Sequence, residues 1–132
     1  MKISAIITAG GTSSRHGKTN KLLEKVNGIE IIKYTVSAFI KCKEIDNIII
    51  CANKSIIEIL KEMFNNEKRI TIIEGGSSRQ ESVYKGLTNI KDCDYVLIHD
   101  GARPMISQEI IEKTIKSVIE KKAVTVVTKT IS

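Results

Sequence analysis

Residues 5–21, Ala-Ile-Ile-Thr-Ala-Gly-Gly-Thr-Ser-Ser-Arg-His-Gly-Lys-Thr-Asn-Lys, set an apolar run directly against a glycine pair and a cationic stretch. Gly10 and Gly11 lack a Cβ, so the backbone there is free to turn consecutive N–H groups toward one point and form an anion-binding nest. The hydroxyl residues Thr12, Ser13 and Ser14 follow, and then Arg15, Lys18 and Lys21, all suited to charge-assisted hydrogen bonds with phosphate oxygens. The chemistry this implies is the binding of a polyanion.

Two familiar phosphate motifs do not account for the stretch. The dinucleotide fingerprint G-x-G-x-x-G fails because Gly10 and Gly11 are adjacent and no helix-forming run follows them. Gly17-Lys18-Thr19 supplies the ending of a Walker A loop, but five residues separate Gly11 from Gly17 where that motif has four. Residues 20–28 also lack the amphipathic helix whose N-terminus a P-loop uses.

The elements that must position these residues alternate in type. Residues 2–8, with Ile3, Ala5, Ile6 and Ile7, read as a central parallel strand covered on both faces. Residues 31–42 place Ile32, Val36, Phe39 and Ile40 on one helical face, and residues 47–52 form a β-branched second strand. Ser55-Ile56-Ile57-Glu58 matches a capping box and predicts a helix starting at Ile56, with Ile57, Leu60, Met63 and Phe64 on its apolar stripe. A third strand over 70–74 ends at Gly75-Gly76, and Ser78-Arg79-Gln80-Glu81 is a second capping box, ahead of Val83, Leu87 and Ile90. A fourth strand spans 95–99, Ser107 caps a helix with Glu109 in its first turn and Lys121 and Lys122 at its end, and residues 123–128 form a fifth strand. Such alternation implies βαβ crossovers in one α/β domain over residues 1–132, with a mainly parallel sheet between helical layers. Three turns, residues 9–21, 75–82 and 99–104, then meet at the edge of the sheet where the strand order reverses.

Three segments in this order carry a resemblance: the strand followed by A-G-G-x-x-x-R-x-G and a lysine, Gly75-Gly76-Ser77-Ser78-Arg79-Gln80-Glu81-Ser82-Val83, and His99-Asp100-Gly101-Ala102-Arg103-Pro104. The first is similar to the signature of nucleotidyltransferases that join a nucleoside monophosphate to a sugar phosphate. The three together resemble the 2-C-methyl-D-erythritol 4-phosphate cytidylyltransferases of non-mevalonate isoprenoid synthesis, along nearly the whole chain. The resemblance implies a three-layer, Rossmann-like nucleotide-diphospho-sugar transferase fold. It also implies CTP and a sugar-alcohol phosphate as substrates, with pyrophosphate released. Arg15 and Lys21 match the pair that stabilises the five-coordinate phosphorus, and the backbone from Ala9 through Gly10, Gly11, Thr12 and Ser13 matches the segment that holds the triphosphate. Gly76, Ser77 and Ser82 match the positions that read the cytosine ring, with Asp100 and Gly101 completing the nucleotide site.

Read as residues alone, several of these positions have two readings. Ser77 and Ser78 also serve as turn and N-cap residues, whereas Ser82 lies inside the helix where no cap is needed. Arg79 is a phosphate contact or a partner of Glu81 or Glu74. Asp100 meets a triphosphate-bound Mg²⁺ or the ribose hydroxyls, or it caps its own turn or pairs with Arg103. Arg103 anchors its loop or contacts the acceptor phosphate. His99 faces the opposite side of its strand and reads as a hydrogen-bonded structural residue, and His16 has no evident carboxylate partner.

The sequence departs from the family pattern at Ser13, where glycine is common, and at Asn20-Lys21-Leu22, where Pro-Lys-Gln is commoner. It also lacks the C-terminal portion that in the family pairs two subunits as a homodimer and adds basic residues around the acceptor phosphate. The expectation is a C-terminally shortened enzyme that binds CTP weakly and turns over poorly or not at all. The alternatives are a ribitol 5-phosphate cytidylyltransferase, or a basic module that binds nucleic acid without catalysis.

The net charge of +6 does not favour nucleic acid, because 17 of the 21 basic residues are scattered lysines and aromatics make up only 4% of the chain. Three of the four arginines, Arg15, Arg79 and Arg103, instead follow predicted strands, where an open α/β sheet binds its ligand. Cys42, Cys51 and Cys93 are odd in number and widely spaced, which suits a reducing cytoplasm better than a disulfide framework or a zinc site. No charged-then-apolar leader opens the chain, and no apolar run approaches the roughly 18 residues needed to span a bilayer.

Overall fold

The computed structural model describes residues 2–10 and 21–120. Its centre is β1 (Ile3–Ala9), all seven residues of which are buried. A strand buried on both faces must be paired on both edges, and β1 is: parallel to β4 (Asn47–Ala52) on one side and to β6 (Tyr95–Asp100) on the other. Ala5 sits opposite Ile48 and Leu97, and Thr8 opposite Cys51 and Asp100. With β5 (Ile70–Glu74) added beyond β4, the parallel sheet has the order β5-β4-β1-β6. Asp46 and Asp94 close the lower end of β1, their carboxylates accepting from the Ile3 and Lys2 amides at 2.8 and 2.7 Å.

Alternating side chains divide the core into two layers, as the pleat of a strand requires. On one face Ala5, Ile7, Ile48 and Ile50 pack under α1 (Ile31–Ile40), α2 (Ile57–Met63) and α4 (Gln108–Glu120), which contribute Ile32, Val36, Phe39, Leu60, Ile111 and Ile115. On the other, Ile6, Ile49, Cys51 and Ile98 meet Val83 and Leu87 of α3 (Arg79–Thr88). This is the three-layer arrangement expected from the alternation of elements. Among the described residues no helix is long and apolar enough to cross a membrane.

The elements follow their local chemistry, with three corrections. A short hairpin that the sequence reading passed over, β2 (Lys25–Val26) and β3 (Ile29–Glu30), precedes α1. Asn27 and Gly28 have φ of 55° and 81°, the pair of positive values a tight hairpin turn needs and Asn-Gly accommodates. At α2 the cap is Asn53 rather than Ser55. The Asn53 Oδ1 accepts from both the Ser55 amide and the Ser55 hydroxyl at 2.9 Å, so the serine is engaged as a donor. A 3-10 turn at Lys54–Ile56 results, and the α-helix opens at Ile57. At α3, Ser78 caps as expected by accepting from the Glu81 amide at 3.1 Å, but Glu81 reaches Ser77 instead of the Ser78 amide. Ser107 accepts from the Ile110 amide at 3.2 Å at the start of α4. The expected fifth strand over 123–128, with Lys121 and Lys122, lies outside the described residues.

Two polar contacts hold the crossovers. The Arg69 guanidinium donates to the carbonyls of Ile40, Cys42 and Ile45 and to Glu67, tying the end of α1 to the entry of β5. His99, 3% exposed, packs its ring 5.6 Å from that of Phe39 and shares a 3.0 Å hydrogen bond with the Arg103 carbonyl, the structural role expected of it.

Arg69→Ala is expected to lower the unfolding free energy by about 2 kcal/mol, since it strands several carbonyls that now receive charged donors. Urea unfolding checks this, and Arg69→Lys is expected to restore little because an ammonium lacks the planar fork. Burial, its largest influence, holds the His99 imidazole below the usual histidine value of 6.5, against the opposing pull of the Arg103 carbonyl. The stability contributed by neutral His99 is therefore complete above that value and falls away as acid protonates the unfolded chain preferentially. An NMR titration of the His99 ring, followed alongside unfolding at pH 7 and 5, is expected to give a midpoint below 6.5 and lower stability at pH 5.

Candidate functional site

In the order β5-β4-β1-β6 the chain runs outward from β1 to β5 and then returns to the far side of β1. The crevice created by that reversal opens at the C-terminal ends of β1 and β6, the place where open α/β sheets bind ligands. Thr8, Ala9 and Gly10 reach it from β1, and Asp100 and Gly101 from β6.

The turn after β6 is held from two sides. The Gly101 amide donates to the Thr8 carbonyl at 2.8 Å, and its carbonyl accepts from the buried Thr35 hydroxyl of α1 at 2.8 Å. Thr35 escaped the sequence reading because a threonine within an apolar helix carries no local signal of a partner 66 residues away. Asp100 is partly exposed at the mouth, its Oδ1 accepting from the Ala102 amide at 2.9 Å. It therefore caps its own turn. Among the described residues it forms no ion pair with Arg103, and its Oδ2 accepts no hydrogen bond there.

The loop after β5 is brought to the crevice by Ser82. This side chain is 2% exposed, and its Oγ accepts from the Gly76 amide at 2.9 Å. A Cβ placed on Gly10 would lie 3.5 Å from that same oxygen, and one on Gly75 only 2.7 Å from it. The Ser82 hydroxyl thus anchors the loop after β5 and leaves a side chain at Gly10 no more than van der Waals room. Gly76 is held to glycine by contact: a Cβ there would fall 2.3 Å from the Glu81 Cγ. Glu81 in turn accepts from the Ser77 amide and hydroxyl at 2.8 and 2.7 Å, and these two bonds, the amide's first, lower its pKa.

The cations divide between described and undescribed positions. Lys21 is exposed in a 3-10 turn (Lys21–Leu23) whose Leu22 is buried in the core beside α1. Arg79 and Arg103 are exposed, and among the described residues neither forms an ion pair, so the expected pairing of Arg79 with Glu81 or Glu74 is not made. Arg15, Gly11, Thr12 and Ser13, with His16, lie outside the described residues. The described candidates thus stand at the C-terminal ends of three parallel strands: Ala9 and Gly10 at β1, Gly76 and Ser77 after β5 with Ser82 bonded to that loop, and Asp100 and Gly101 at β6.

Other reactive groups stand apart. Cys51 lies under α3 with its thiol pushed up to about 11 by burial, which makes it inert packing rather than a nucleophile. Cys42, Glu44 and Glu112 approach within 4.8 Å of one another beside a cleft lined by Ile115 and Lys116, where α1 ends near the opposite edge of the sheet.

A family model described as 2-C-methyl-D-erythritol 4-phosphate cytidylyltransferase matches residues 3–132. A protein of that name from Clostridium perfringens (strain SM101 / Type A) is 46% identical over 119 residues, covering 87% of this chain and 53% of its own length. One from Clostridioides difficile (strain 630) is 43% identical over 128 residues, with 93% and 54% covered. The crystal structure of 4-diphosphocytidyl-2C-methyl-D-erythritol synthase from Anaerococcus prevotii DSM 20548 superposes with a TM-score of 0.80 at 32% identity, over 90% of this chain and 52% of that one. The chain spans about half the length of the curated relatives it matches. With its sheet order, its Ser82-centred crevice and a family match along almost its entire length, the chain belongs to the 2-C-methyl-D-erythritol 4-phosphate cytidylyltransferase family.

Proposed function

We propose that residues 1–132 form the nucleotide-binding domain of a cytidylyltransferase that moves CMP from CTP to 2-C-methyl-D-erythritol 4-phosphate and releases pyrophosphate. The observation that carries this reading is the Ser82 hydroxyl holding the Gly76 amide in the loop after β5, on the side of the sheet where the parallel strands β1 and β6 end at Ala9 and Asp100. In this reaction an acceptor phosphate oxygen attacks the α-phosphorus while pyrophosphate leaves in line, and no covalent enzyme intermediate is required. Catalysis consists of positioning and charge neutralisation. Arg15 and Lys21 supply positive charge to the crowded phosphorus, the backbone from Ala9 to Ser13 holds the triphosphate, and Arg79 and Arg103 meet phosphate oxygens. Gly76, Ser77 and Ser82 frame the cytosine, with Gly101 and Asp100 on the ribose side.

The donor set suits Mg²⁺ rather than a softer ion. Mg²⁺ takes oxygen ligands, keeps several waters and needs only one or two carboxylates beside substrate phosphates. Asp100, with one oxygen committed to its turn and the other accepting no hydrogen bond among the described residues, fits that role. A bound Mg²⁺ would neutralise triphosphate charge. The cytoplasm is the compartment consistent with three free cysteines, two of them buried.

Calorimetric titration with CTP, ATP and a short oligonucleotide tests the reading. CTP is expected to bind with the highest affinity and the oligonucleotide not to bind measurably. Lys21→Ala is expected to weaken CTP binding on the order of tenfold, about 1.4 kcal/mol, and Lys18→Ala by much less. ATP binding that Lys18→Ala abolishes would overturn the proposal in favour of a P-loop. A coupled pyrophosphate assay offering methylerythritol phosphate and ribitol phosphate identifies the acceptor, with slow turnover expected for the 132-residue polypeptide by itself.

A further inference from the structure

We infer that Glu81 is a positioning residue for nucleotide recognition: by holding Ser77 it fixes residues 75–78 in the backbone arrangement against which the pyrimidine ring is read. This rests on the cytidylyltransferase reading of the crevice.

Glu81 is the third residue of α3, where a carboxylate ordinarily turns back to the amide of the N-cap residue. Here it passes that amide by. A single oxygen, Oε1, accepts from the Ser77 amide at 2.8 Å and the Ser77 hydroxyl at 2.7 Å, one residue outside the cap. The stem lies folded over the loop, since its Cβ, Cγ and Cδ occupy the space 2.3 to 2.6 Å from where a Gly76 Cβ would stand. An exposed glutamate loses rotamer freedom when fixed in this way, and two charge-assisted bonds offset that loss. The lowered pKa of Glu81 has the same two bonds as its leading causes.

The neighbouring side chain does the corresponding task from the opposite side. Ser82 Oγ, buried against the sheet, accepts from the Gly76 amide at 2.9 Å. Consecutive residues 81 and 82 therefore hold consecutive amides 77 and 76, one from the solvent side and one from the core side. Ser82 secures where the loop begins. Glu81 secures which way the peptide between Gly76 and Ser77 faces, and among the described residues it is the one side chain that bonds Ser77. A polar edge of a base is discriminated by groups whose directions are fixed, because a mismatched edge then leaves them unpaired. Phosphate oxygens are met by cations, with none of which Glu81 forms an ion pair among the described residues. Glu81 thus acts on base selectivity more than on overall affinity.

The test is calorimetric titration of the 132-residue chain with CTP and with UTP, for the unaltered sequence, Glu81→Ala, Glu81→Gln and Ser77→Ala, each accompanied by a thermal unfolding curve. The unaltered chain is expected to prefer CTP. Glu81→Ala is expected to weaken CTP binding on the order of tenfold with UTP little changed, so the preference collapses. Glu81→Gln keeps an acceptor oxygen without the charge and is expected to retain most of the preference, and Ser77→Ala, which removes only the hydroxyl, to fall between. A purely structural role predicts a lower Tm with CTP and UTP weakened equally, and that result overturns the inference. If Glu81→Ala does not fold, the ranking of Glu81→Gln and Ser77→Ala decides in the same way. An unchanged CTP to UTP ratio in these variants overturns the role of Glu81 and leaves the site reading intact, whereas an unaltered chain that binds no CTP overturns both.

Discussion

The double-edged pairing of β1 is the constraint on which the structure rests. A strand with all seven residues buried has no solvent to satisfy its amides and carbonyls, so both edges must be bonded to other strands. β4 and β6 do this in matching register, and the consequence reaches beyond stability: the end of β1 is fixed relative to the ends of both neighbours. Ala9 and Gly10 can then serve as one wall of a crevice whose other wall begins at Asp100. The Gly101 amide bonded to the Thr8 carbonyl is the last rung of this ladder and the first contact of the site.

Around that fixed edge, the loops are organised by side chains that satisfy backbone groups. Ser82 and Glu81 do so for the loop after β5, Thr35 and Asp100 for the turn after β6. None of these contacts is large in energy. Their value is directional, since each amide or carbonyl engaged internally leaves its neighbours facing a known way. Pre-organisation of this kind lowers the ordering that a bound nucleotide must otherwise bring about.

Much of this was legible in the sequence, and the reasons are particular. The β-branched run Ile48-Ile49-Ile50, the apolar spacing of Ile32, Val36 and Phe39, and the serines at positions 78 and 107 are local signals. The corresponding strand, helix and caps formed where these signals stood. The crossover pattern gave the parallel sheet and hence the edge that holds the crevice. What was not legible depends on contacts between distant residues or on competition between neighbours. Asn53 outcompetes Ser55 as a cap because its carbonyl collects two donors at once. Thr35 shows no sign of Gly101 along the chain, and Arg69 none of the three carbonyls it gathers. The Asn27-Gly28 pair is itself a local hairpin signal, since both residues take the positive φ that a two-residue turn requires. At Glu81 the capping spacing was correct and the partner was not, because the stem of the side chain had to lie over Gly76.

The two ends of the sheet carry different responsibilities. At the lower end, Asp46 and Asp94 close β1 and Arg69 gathers the carbonyls behind α1. At the upper end stand the turns that form the crevice. Seven residues of buried strand separate them, and among the described residues the side chains that close the lower end make no hydrogen bond to those that hold the upper turns. A substitution that hardens the lower end for a warmer habitat can therefore leave the turns of the crevice undisturbed.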